Sequence, residues 1–115
     1  MGKKPAAVAL KIKDLPMYRI DPSRTDLAEE YKKNPGGPYS PELTLVVNRL
    51  RLGPMEERTI IVCTKRGREW TLAKMPTVRG AKLELYEDRV FDDYHDAARE
   101  VFRMRWQAVT GKELA

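Results

Sequence analysis

The chain moves from a helical to an alternating hydrophobic period near its middle, and back to a helical one before its C-terminus. Leu43, Val46, Val47 and Leu50 recur at three- and four-residue spacing with Asn48, Arg49 and Arg51 off that stripe, which predicts a helix over residues 41–52. Ser40 is a suitable cap, Pro41 fits the first turn and Glu42 suits the positive end of the helix dipole. Gly53-Pro54 closes the helix. From Thr59 a β-branched run through Ile60, Ile61 and Val62 leads by Lys65-Arg66-Gly67-Arg68 into residues 69–75, around Trp70 and Leu72. Two such runs flanking a short turn predict a hairpin over 59–75, because Gly67 takes φ > 0 without a steric penalty. A hairpin alone is marginal in water, so its apolar face needs cover.

Residues 82–87 alternate strictly, with Leu83 and Leu85 on one face and Glu84 and Tyr86 on the other, a third strand of the same meander. Asp93 then caps a last helix that runs to about Val109 and ends at Gly111. Tyr94, Ala97, Ala98, Val101, Phe102, Ala108 and Val109 face one way on it, and Asp96, Arg99, Glu100, Arg103 and Gln107 the other. Met104 and Trp106 widen the apolar arc to roughly 200°, about twice what one sheet requires, with Arg105 near its centre.

The first part of the chain is more broken. Asp21-Pro22 marks a helix start, and a short helix over residues 23–33 carries Leu27, Ala28 and Tyr31 on one side. Asn34-Pro35-Gly36-Gly37-Pro38 ends it. Val8, Leu10 and Ile12 alternate weakly within residues 1–20, which read as a basic N-terminal tail in need of a sheet edge. The expected class is α+β: a three-stranded antiparallel meander packed against a C-terminal helix, with one or two helices before it. Residues 21–115 form one domain in this reading.

Charge changes the picture mainly through its placement. Of the net +5, four charges are Lys3, Lys4, Lys11 and Lys13, so the rest of the chain is close to neutral. Cys63 is the one cysteine, which forbids an intrachain disulfide and suits a reducing compartment. Its place in a strand predicts a buried thiol rather than an activated one. The apolar run at residues 6–10 is too short for a signal peptide or a membrane span, so a cytoplasmic protein is expected.

No catalytic residue is assigned. One histidine and one cysteine do not make a convergent metal set, and Asp92, Asp93 and Asp96 around His95 suit a helix N-terminus for capping and dipole reasons alone. Gly36-Gly37 lies between prolines, not between a strand and a helix as a phosphate loop requires. Two binding readings remain. Helix, three strands, helix is the order of a double-stranded-RNA-binding domain, and Arg49, Arg51, Arg58, Lys65, Arg66 and Arg68 would supply a basic patch. Against it, three acids stand at the last helix N-terminus, where that fold needs positive potential for phosphate.

The other reading is an interaction subunit. An apolar patch left on a soluble domain marks a contact surface, and the over-wide last helix and the Pro-segmented first half, with little core of its own, both point to one. The expected partner contacts are Met104, Trp106 and Tyr39. Arg105, if buried there, needs a carboxylate or carbonyls opposite it. The alternative is that helix 41–52 folds back over Met104 and Trp106.

The order Asn34-Pro35-Gly36-Gly37-Pro38-Tyr39-Ser40-Pro41-Glu42-Leu43, an Arg-bearing helix, Thr64 to Arg68-Glu69-Trp70, and Val90-Phe91 before a capped helix with Ala98 and Val101-Phe102 resembles the small subunit of N,N-dimethylformamidase. The likeness covers residues 28–106, and the more basic segment before residue 25 departs from it. It implies a hetero-oligomeric amide hydrolase with catalysis in a large partner subunit, where the family carries a mononuclear iron held by two tyrosines and a glutamate. This chain would then hold no cofactor, meet no membrane, and support folding and assembly of the partner.

Overall fold

The computed structural model describes residues 18–53, 58–76 and 78–114. Its elements are α1 (Thr25–Lys33), α2 (Pro41–Leu52), β1 (Thr59–Lys65), β2 (Glu69–Lys74), β3 (Glu84–Phe91) and α3 (Tyr94–Thr110). The strands form one antiparallel sheet in the order β1-β2-β3, the expected meander. Residues 1–17, which hold the tail expected to seek a sheet edge, lie outside the described residues. Ile20, assigned to that tail, is buried in the core.

Local chemistry sets the ends. Ser40 Oγ accepts from the Leu43 N–H at 3.2 Å, with Pro41 in the first turn of α2. Asp93 accepts from the His95 N–H at 2.8 Å, and Gly111 closes α3 in the left-handed region at φ 74°. The Asp21 start is different. Asp21 accepts from both the N–H and the hydroxyl of Ser23, a tight local turn, and α1 begins at Thr25 without a side-chain cap.

The wide apolar arc of α3 has two neighbours within the chain. Ala97 and Val101, with Met104 beside them, meet Leu72, Ile61, Trp70, Tyr86 and Phe91 of the sheet. Phe102 and Trp106 meet Ile20, Leu27, Leu43, Val46, Val47 and Leu50 of the first half. So α3 lies between the sheet and α2, with α1 packed on α2. At 100° per residue the sheet-facing group spans about 60°, Phe102 and Trp106 stand about 100° and about 140° beyond its edge, and Arg105 falls between.

Four expectations are corrected by this packing. Trp106 is 0 % exposed, enclosed by α2 as the fold-back alternative had it, and is therefore core rather than a partner contact. Met104 is half-buried against the sheet rather than under α2, where the fold-back alternative put it, which leaves the expected contact open. The first half is not poor in core, since it supplies every buried member of the larger cluster except Phe102 and Trp106. Cys63 is exposed, its thiol 3.5 Å from the Lys65 carbonyl beside a break in the β1–β2 register.

The third strand is longer than its alternation shows. It starts at Glu84 and continues to Phe91 through a bulge: Thr71 pairs Val90 and Ala73 pairs Leu85, so the intervening β3 residues oppose Leu72 alone. The bulge resets the side-chain phase. Tyr86 and Phe91 both pack toward α3, while Leu85 and Val90 stay 45 % and 46 % exposed on the outer face.

Candidate partner interface

Arg105 leaves α3 at the seam between the two core clusters, where neither sheet nor helix covers it fully. Its Nη2 donates to the Thr59 carbonyl at 2.8 Å, so a carbonyl meets the requirement set by its burial. The guanidinium opens into a cleft of about 330 Å³ bounded by α1, α2, α3 and β1. Tyr31, Tyr39, Arg51, Ile60 and Tyr94 share its walls, over a floor of Val47, Leu50, Val101 and Phe102.

Packing fixes the aromatic wall. Tyr31 stacks on Phe102 with ring centroids 4.2 Å apart and planes 16° apart, and Tyr39 tilts against Tyr31 at 5.7 Å. The Tyr39 hydroxyl donates to the Pro35 carbonyl, which ties the Pro-rich connection to the wall. On the far side Tyr94 meets Trp70 edge-on at 6.2 Å.

The electrostatics are one-sided. Burial, with Tyr39 and Tyr94 adding to it, pushes the Tyr31 hydroxyl up to about 12, so Tyr31 is a neutral hydroxyl at neutral pH. Burial, then Arg58 and Arg51 nearby, lowers Arg105 from the usual guanidinium range, while Tyr31 and Tyr94 act the other way. Arginine stays charged all the same. No carboxylate among the described residues lies within ion-pair distance of Arg51 or Arg105.

One other cleft differs in this respect. It has about 420 Å³, lies between α1 and α3, and is lined by Ala28, Phe91, Phe102 and Leu114, with both of its arginines, Arg99 and Arg103, paired to carboxylates. There Arg99 holds Asp96 at 2.6 Å and the Lys32 carbonyl at 2.8 Å, and Glu100 holds both Arg89 and Arg103. Met104 lines a third cleft, beside Thr59, Lys74, Tyr86 and Arg103.

Of the residues singled out from sequence, Tyr39 and Arg105 meet in one cleft, Met104 lies elsewhere and Trp106 is interior. Tyr31 and Tyr94 were not singled out as contacts, and Arg51 was named only for the basic patch of the nucleic-acid reading. Tyr31 had a signal, since it shares a helical stripe with Leu27 and Ala28, but nothing in that stripe shows that Tyr39 folds back against it. At the hairpin tip Lys65 lies 3.6 Å from Glu69, and at the open end of the hairpin Arg58 donates to the Arg51 carbonyl at 2.9 Å. His95 and its neighbouring acids serve the α3 N-terminus, Asp93 as cap and Asp96 as partner of Arg99. No group of metal-ligating side chains converges among the described residues, and no helix there is long and apolar enough to cross a membrane.

The family model described as N,N-dimethylformamidase alpha subunit matches residues 18–115, a span that takes in the sheet, all three helices and the cleft. No curated protein matches the chain.

Proposed function

The chain belongs to the N,N-dimethylformamidase alpha-subunit family, and on that premise we propose that it is the non-catalytic small subunit of a heteromeric amide hydrolase. In this reading it supports the folding and assembly of a large catalytic chain in the cytoplasm. The family match over residues 18–115 carries the reading. The lone cysteine, exposed and unpaired by any disulfide, agrees with a reducing compartment.

The iron that the resemblance implies belongs to the large chain. A set of two tyrosines and a glutamate does not fit the residues here. Tyr31 and Tyr39 share a cleft, but Arg105 stands beside them where a carboxylate ligand would be needed. The burial that lifts Tyr31 to about 12 also opposes the tyrosinate form that binds metal. What the chain offers instead is shape and donors: a self-supporting core, an aromatic-walled cleft and two guanidinium groups that meet no carboxylate among the described residues.

The test is reconstitution. The chain and an N,N-dimethylformamidase-type large chain from the same organism are purified apart, then mixed and assayed for hydrolysis of N,N-dimethylformamide and other small amides. The reading expects no hydrolysis from the small chain alone, and a rise in soluble, active large chain when both are present. Hydrolysis by the small chain alone, or a large chain indifferent to it, would overturn the reading.

A further inference from the structure

We propose that the cleft between α2, α3 and β1 receives a carboxylate side chain of the large subunit, seated against Arg105 and Arg51 with an aliphatic or aromatic neighbour on the tyrosine wall. The inference rests on the small-subunit reading and adds the surface and the chemistry of its contact.

Three observations carry it. First, Arg51 and Arg105 meet no carboxylate among the described residues, whereas both arginines beside the cleft between α1 and α3, Arg99 and Arg103, are paired with one. Second, Arg105 is half-buried and spends one described hydrogen bond on the Thr59 carbonyl, leaving other N–H donors of its planar fork for an acceptor. A partly desolvated guanidinium is where a carboxylate gains most, because less water competes for it. Third, the walls are Tyr31, Tyr39 and Tyr94, rigid rings that offer apolar faces and polar edges, the composition found at the centre of protein interfaces. At about 330 Å³ the cleft holds a side chain or two and not a duplex backbone, so the charge favours a protein carboxylate over a nucleic-acid phosphate.

The probe is the large chain of an N,N-dimethylformamidase-type enzyme from the same organism, titrated with the intact small chain. Arg51→Glu is the main variant, because Arg51 is exposed and folding does not hang on it. Arg105→Gln is the second, and Arg66→Glu, the same charge change at the exposed hairpin tip, is the control. The expected result is a loss of affinity of about tenfold or more for Arg51→Glu and for Arg105→Gln, with Arg66→Glu within about twofold of wild type. Raising salt from about 50 mM to about 500 mM should weaken the wild-type complex several-fold and the Arg51→Ala complex less. Wild-type association untouched by Arg51→Glu and Arg105→Gln would overturn the cleft alone. If the wild-type chain fails to associate at all, the small-subunit reading fails and the cleft proposal falls with it.

Discussion

The Glu30 carboxylate grips Ser40 twice, accepting from its backbone N–H and from its hydroxyl at 2.7 Å each. The same hydroxyl oxygen accepts from the Leu43 N–H, so one side chain of α1 orders the N-cap of α2 across the Pro-rich connection. This joins two helices, whose connection between Asn34 and Pro41 contains two prolines and two glycines, into one rigid unit beside the cleft.

Breaking that link should cost stability without touching the core. Ser40→Ala is expected to destabilise by about 1–2 kcal/mol, from loss of the cap and of a charge-assisted bond. Glu30→Ala should cost a similar amount, and the double variant less than the sum, because both remove one network. Urea unfolding of the two single variants and the double variant measures it.

Trp106 is enclosed, and no described residue accepts a hydrogen bond from its indole N–H. Trp106→Ala should therefore cost about 3–5 kcal/mol through the cavity it leaves. Trp106→Phe should cost much less, about 1 kcal/mol, because the smaller ring keeps most contacts and removes an unpaired buried donor. Thermal and urea unfolding of the isolated chain separate the two. The same enclosure predicts that the chain folds as a monomer without a partner, since its own α2 covers the surface that sequence alone left open.

Tyr31 gives the fold a pH dependence on the alkaline side. Burial raises its hydroxyl from the ordinary 10.0 to about 12, so over that window the folded chain keeps a proton that the unfolded chain has lost. Its contribution is fully present below pH 10 and declines as pH rises toward 12. Tyr31→Phe should flatten the fall in the urea midpoint between about pH 9.5 and about pH 11.5 relative to wild type, and should remove a step at about 12 from an ultraviolet titration.

The bulge in β3 sets which side chains face α3, and two substitutions test it. Leu85→Thr, on the outer face, should change stability by no more than about 0.5 kcal/mol. Tyr86→Ala, on the inner face beside Met104, should cost about 1–3 kcal/mol. Equal costs, or the reverse order, would mean that β3 presents its other face.

Much of this architecture is written in local pattern. The α2 stripe, the hairpin, and the Asp93 and Gly111 ends of α3 depend on neighbours within a few residues, and each stands where its chemistry puts it. The bulge is different. Alternation through residue 87 gives a strand but not its phase after the extra residues, so the length and the inner face of β3 depend on pairing with β2. The width of the α3 arc was legible as contact with more than one neighbour, but not that both neighbours belong to this chain. Arg105 stands at the centre of that arc because it marks the seam between two covers, and seams are tertiary. The meeting of Tyr39 with Tyr31 likewise needs the connection between α1 and α2 to fold back, which no periodicity records.

Light scattering on the purified small chain, on the large chain of the same organism and on their mixture tests the central claim most directly. The account predicts a monomeric small chain alone and a defined complex in the mixture that carries the amide-hydrolysing activity. Two chains that elute separately, with the small one still a folded monomer and the large one fully active, would contradict it.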